Sequence, residues 1–243
     1  MPDPIGWVVL VVGALVGSLV GGVAGFGTGI IMLPLVGWVL GLRSAVPVLT
    51  VTMSIGNLSR IWWSRGEVDG AVVVRFALGA VPATAFGTAL YAGVPAEWLG
   101  RFVGVFLIAS VPLRRLLATD LFRMRLHHFP LLGAFIGLLS ALVVTTGPLN
   151  TPFFLAYGLR RSAFVGTEAV CAMAMHLARG AALARYALLT WDTVVVGTVL
   201  GGTMFAGAWL GRRMLDHMSD RAFLGIIEVL LVAMGLQSLL FPR

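Results

Sequence analysis

A chain of 243 residues that is 59% hydrophobic and only 11% charged, with a mean hydropathy of +0.98, falls outside the soluble globular class, in which about a quarter of residues are charged. The expectation is an all-α polytopic membrane protein forming a single unit over 1–243, with no stretch left for a separate soluble domain. Its net charge of +7 comes from 17 basic residues, all arginine. They cluster by loop rather than on one face of a soluble module, which argues for membrane topology and against nucleic acid.

The chain opens MPDPIGWVVL, with Asp3 and no early basic residue. It lacks the basic region of a cleavable signal and reads as the first membrane segment. Apolar runs then divide the chain at 6–24, 27–41, 44–63, 70–92, 98–117, 129–145, 148–158, 163–188, 192–211 and 221–241. A full crossing takes about 20 residues. Segments 27–41 and 148–158 reach only about 22 Å and about 16 Å at 1.5 Å per residue, so they are expected to be re-entrant or broken helices. The single Cys171 excludes an internal disulfide or a cysteine metal cluster and reads as a small packing residue.

Two stretches interrupt the apolar pattern. Gly21 to Pro34, GGVAGFGTGIIMLP, puts five glycines and a threonine in a membrane segment, and Leu142 to Phe154, LVVTTGPLNTPFF, does the same with Thr145, Thr146, Gly147, Pro148, Asn150 and Thr151. At membrane depth, irregular backbone survives only where protein buries it or where it lines a cavity. Helix N-termini exposed by such breaks favour an anion. Gly25, Phe26, Gly27, Thr28 and Gly29 are therefore candidate substrate contacts, with Thr145, Thr146, Gly147, Pro148 and Asn150 opposite them. Gly13 to Gly21 fit a small-residue helix contact equally well, and the Phe26 ring serves either as a gate or as packing.

Sliding the second half back by 117–123 residues aligns its landmarks with the first. Gly13 and Gly17 meet Gly133 and Gly137, Pro34 meets Pro152, Asn57-Leu-Ser-Arg60 meets His176-Leu-Ala-Arg179, and Asp69 meets Asp192. The chain is read as two repeats of about five segments, 6–117 and 129–241, joined by a basic cytoplasmic loop, 114–128. Arg114, Arg115, Arg123 and Arg125 put that loop inside. Arg160 and Arg161 in 158–162, and Arg212, Arg213 and Arg221 in 212–221, then fall inside too, while 92–97 and 189–192 fall outside without a basic residue. Arg43 and Arg101 run the other way. Each half has odd parity, so the repeats are inverted and both termini lie outside.

Ionisable residues in lipid are costly and are functional candidates. Glu168, His176 and Arg179 share one long segment, with Asn57 and Arg60 on its mirror. Asn57, His176 and Arg179 are candidate substrate contacts, and Glu168 and His176 are candidates for proton coupling. Arg60 and Arg185 read more simply as snorkelling to an interface, and Glu168 reads equally well as solvated near a segment start. His176 and Arg179 serve as a tie between helices about as readily as a ligand set. Trp62, Trp63 and Trp191 read as interface anchors. No G-x-S-x-G, H-E-x-x-H, P-loop or dinucleotide fingerprint occurs, and Asp69 and Asp192 at segment ends do not form a dyad. No catalytic or metal site is expected.

GVAGFGTGIIMLPLV followed by GLRSAV, and TTGPLNTPFFLAYGLRRSAFVGTEAV in the second half, resemble the two repeat motifs of the sulfite exporter TauE/SafE family. Thr28 stands in place of a glycine common in the first motif, and Leu149 where a second proline often follows Gly-Pro. The resemblance covers nearly the whole chain. It implies transport of a small anion such as sulfite or an organosulfonate across the cytoplasmic membrane, with no cofactor and no ATPase. The expected mechanism is alternating access around a midplane site between the two hairpin tips. An anion channel, or a non-transporting membrane enzyme or assembly factor, is the alternative, and a homodimer stays open.

Overall fold

In the computed structural model, the described residues are 1–24, 28–95, 124–144, 146–159 and 161–214, with isolated positions between 97 and 112 and at 232 and 236. Among them every regular element is helical. The α-helices are α1 (Pro4–Ala24), α2 (Thr28–Leu40), α3 (Leu42–Ser64), α4 (Gly70–Gly93), α5 (Phe129–Val143), α6 (Gly147–Tyr157), α7 (Arg161–Arg185) and α8 (Trp191–Met214). Their ends fall within three residues of the expected segments. The expected segments 98–117 and 221–241, and most of the basic loop, lie largely outside the described residues.

Local chemistry sets these boundaries. The Asp69 carboxylate caps α4 by accepting from the Val72 N–H at 3.0 Å, and the Asp69 N–H donates to Thr167 Oγ1 at 2.9 Å. That bond ties the start of α4 to α7. Helix α6 stops at Gly158, whose φ of 110° is left-handed, and the Leu159 N–H reaches back to the Phe154 carbonyl at 3.2 Å. Short helices α2 and α6 each carry an internal proline, Pro34 and Pro152, which removes a helix hydrogen bond.

Helices α3 and α7 cross antiparallel at the centre. Thr50 lies against Gly180 and Ser64 against Gly166, with Arg60 reaching Glu168 between them. Helix α8 runs parallel to α3, with Val51 on Gly197 and Ile55 on Gly201. Beyond it α1 runs alongside α8, as the contacts of Met1 with Asp192 and of Ser18 with Gly207 show. On the other flank α4 packs on α7 and α5 packs parallel to α4.

The α4–α5 contact is backbone against backbone. A Cβ on Gly79 would lie 1.8 Å from the Pro130 carbonyl oxygen, and one on Gly133 would lie 2.1 Å from the Phe76 carbonyl oxygen. Only glycine permits that approach. Thr84 Oγ1 adds a bond to the Gly137 carbonyl at 3.1 Å.

Two cores result. One joins Leu10, Met32, Val36, Leu49 and Leu200 from α1, α2, α3 and α8. The other joins Phe76, Ile136, Phe154, Phe164 and Met175 from α4, α5, α6 and α7. The first is largely aliphatic, whereas in the second the Phe154 ring packs edge-on against Phe76 at 5.7 Å and Phe129 at 5.4 Å. Outside these cores large apolar side chains stay uncovered: Ile5, Val8 and Val12 on α1, Leu78 and Phe86 on α4, Leu131 and Phe135 on α5. A water-facing surface rarely carries so much. Helix α4 and the segment Leu126–Val143 are each long and apolar enough to cross a membrane by length and composition.

Candidate functional site

The α3–α7 crossing carries the two aligned motifs, and they build the same local device. Arg60 donates from Nε to Asn57 Oδ1 at 3.1 Å, with Nη2 on the same oxygen. Arg179 Nη1 faces His176 Nδ1 at 2.9 Å. In each case an arginine folds back one helical turn onto the residue three before it. A guanidinium only donates, so His176 Nδ1 accepts and its ring proton sits on Nε2.

Beyond that turn the two differ. Arg60 Nη1 also donates to Glu168 Oε2 at 2.9 Å across the helix pair, with side-chain exposures of 18% and 6%. Glu168 is therefore buried and paired rather than solvated, and Arg60 is engaged inward rather than snorkelling. The reason is register: the antiparallel crossing brings the C-terminal end of α3 to the N-terminal end of α7. Arg185, at the end of α7, is exposed as expected for an interface residue.

Arg179 is 0% exposed and meets no carboxylate among the described residues. Its Nη2 donates to both the carbonyl and the hydroxyl of Ser140, each at 2.6 Å, while Nε has no partner. Ser140 belongs to the last turn of α5, where carbonyls are left without helical N–H groups, and its carbonyl also accepts from the Val144 N–H at 2.8 Å. Arg179 thus stands against the end of α5, one turn before the break between α5 and α6. Burying a cation without an anion is costly.

The break itself is irregular and buried. Val144 holds φ at 61° at 5% exposure, a conformation that costs a β-branched residue about 1–3 kcal/mol. Thr146 caps α6 without a side-chain bond, Gly147 is buried, and Pro148 lies in the first turn of the helix, where its missing N–H costs nothing. Thr146 and Asn150 are 3% and 1% exposed, and Asn150 Oδ1 has no partner. In the first half Thr28 Oγ1 donates to the Gly17 carbonyl at 2.8 Å, and Gly17 accepts the Thr28 backbone so closely that an added Cβ would lie 3.3 Å from Thr28 Cα. Helix α2 therefore starts opposite the body of α1, about 10 Å before α1 ends. Gly29 is buried beside it.

Hydrogen bonds bring Asn57, Arg60 and Glu168 together, and Arg179, His176 and Ser140. They do not connect Thr28 or Asn150 to either cluster. Gly25, Phe26, Gly27 and Thr145 lie outside the described residues. The small-residue reading of α1 holds at Gly13, which takes Leu35, and at Gly17. Ser140 is the residue that sequence reasoning passed over. Its signal was present, because it is the only hydroxyl or charged side chain in FPLLGAFIGLLSALV. Two buried donors are left unpartnered, Arg179 Nε and Asn57 Nδ2. The Asn57 orientation is fixed because its oxygen must face Arg60. Such groups cost free energy unless something accepts from them.

A model of the family described as "Sulfite exporter TauE/SafE" matches residues 9–238. No curated protein and no solved structure matches the chain. The chain belongs to the TauE/SafE family, whose members are integral membrane transporters of sulfite and related sulfur compounds.

Proposed function

We propose that this TauE/SafE member is a secondary transporter that moves a small sulfur oxyanion by alternating access, with Arg179 as its countercharge. The observation that carries the reading is a fully buried arginine with no carboxylate partner among the described residues, its Nε open, beside a strained break and a helix N-terminus. A protein retains so costly a group when a ligand completes it. The anion would accept from Arg179 Nε, from Asn57 Nδ2 and from the Gly147 N–H at the start of α6, since Pro148 has no N–H and those of Leu149 and Asn150 already donate to the Thr146 carbonyl. His176 and Ser140 hold the guanidinium in place.

The repeats 6–117 and 129–241 are read as inverted, with the α1–α2 and α5–α6 hairpins entering from opposite faces and both termini outside. Several facts support this. The counterpart helices α3 and α7 run antiparallel. Exchanging α1, α2, α3 and α8 for α5, α6, α7 and α4 carries the greater part of one core onto the other, the first core taking in Tyr91, Val143, Val144 and Leu183 besides. Arg43, which runs against the charge pattern, donates to the Ala92 carbonyl at 3.4 Å, and Arg101 pairs with Glu97 at 2.5 Å.

The test is sulfite uptake into proteoliposomes with the anion-dependent thermal shift measured in parallel. Arg179→Met is expected to lose both by at least about 100-fold in affinity or rate, while its unliganded melting temperature stays level or rises because a buried unpaired charge is gone. Undiminished uptake by Arg179→Met would remove Arg179 from the site. Single-channel currents in a planar bilayer would replace the transporter reading with a channel.

A further inference from the structure

The two arginine devices differ at one position. The step that takes His176 back to Asn57 and Arg179 back to Arg60 takes Glu168 back to Leu49. Leu49 is 0% exposed in the aliphatic core. The crossing keeps one antiparallel register along its length, with Thr50 at Gly180 and Ser64 at Gly166, and Leu49 with Arg179 falls at the same offset from that register as Arg60 with Glu168. Leu49 accordingly occupies, relative to Arg179, the place that Glu168 occupies relative to Arg60.

From this position we infer that the site is selective for a singly charged oxyanion, and that Leu49 is the residue that sets this selectivity by keeping a carboxylate out of the place that faces Arg179. The inference rests on the anion-site reading above. Among the described residues of the crossing, Arg60 and Glu168 cancel, His176 holds its ring proton on Nε2 while Nδ1 accepts from Arg179, and Arg179 remains. The net charge of the crossing is one positive unit. A monoanion brings it to neutrality, whereas a dianion leaves one negative charge buried, where desolvation penalises it. The contacts agree in kind: the free polar hydrogens at the crossing, Arg179 Nε–H and Asn57 Nδ2–H, all donate, so they suit acceptor oxygens. The proposed ligand is a bisulfite-like or organosulfonate monoanion, and a dianion such as sulfate is rejected.

Methanesulfonate and sulfate separate the two cases, being alike in size and both fully ionised at neutral pH. Binding of each to the purified full chain is measured by calorimetry in detergent. Methanesulfonate is expected to bind at least about 10-fold tighter than sulfate. Leu49→Glu, which gives Arg179 an internal partner of the Glu168 kind, is expected to abolish methanesulfonate binding. Leu49→Gln has the same bulk without the charge and is expected to bind it within about threefold of the native chain. Sulfate binding equal to methanesulfonate, with both lost in Arg179→Met, would overturn charge selectivity while leaving the anion site standing. Binding that is indifferent to Arg179→Met would overturn the site itself. Equal loss in Leu49→Gln and Leu49→Glu would show that bulk rather than charge acts at this position, and would overturn the role given to Leu49.

Discussion

Asn57–Arg60 on α3 and His176–Arg179 on α7 share a spacing, a fold-back bond and a central location, yet among the described residues one arginine meets a carboxylate and the other does not. Glu168 closes the first across the helix pair at 2.9 Å. Ser140 holds the second through oxygens that carry no charge, each at 2.6 Å. Two motifs of the same spacing and local geometry therefore need not share an electrostatic state. One copy serves as a fastening between helices, and the other keeps its charge available.

Substitutions that treat the two copies differently break or sharpen this contrast. The largest stability effect is expected from Glu168→Gln, because it removes the carboxylate that meets the Arg60 charge across the helix pair. Losing one partner of a buried pair costs about 3–5 kcal/mol, which thermal unfolding in detergent would register. Arg179→Met, by contrast, is expected to cost no stability, and equal destabilisation of the two variants would erase the contrast. Ser140→Ala comes next. It removes one charge-assisted bond to Arg179 and keeps the carbonyl, so the guanidinium loosens and anion affinity falls by about 10-fold, in line with about 1.5–3 kcal/mol for such bonds. Equilibrium binding of methanesulfonate checks it. Smallest is Thr28→Val, which deletes the bond to the Gly17 carbonyl and lowers stability by about 1 kcal/mol, measured by the same unfolding assay.

Much of the fold was legible because membrane helices announce themselves by length and apolarity. The ends of α3 and α4 and the start of α8 follow directly from where charge, Gly and Pro return. Pairing across helices was not legible. Arg60 looked like a snorkelling residue because nothing in its own helix says that Glu168 faces it, and that contact depends on the register of α3 against α7. Arg179 and His176 stood out as intramembrane ionisable residues, while Ser140 did not, since a hydroxyl in an apolar helix can satisfy itself on its own backbone. The left-handed backbone at Val144 was unreadable, because valine is among the residues least expected there.

The glycine seam between α4 and α5 has a mechanical consequence. With the Gly79 and Gly133 backbones in direct contact with the facing helix, the two cannot slide, and they travel as one strut. Yet α4 belongs to the first half of the sequence and α5 to the second. The seam thus binds a helix of each half of the sequence into one body. Probes placed to test for relative motion belong on α4 and α1, which sit on opposite flanks, rather than on α4 and α5.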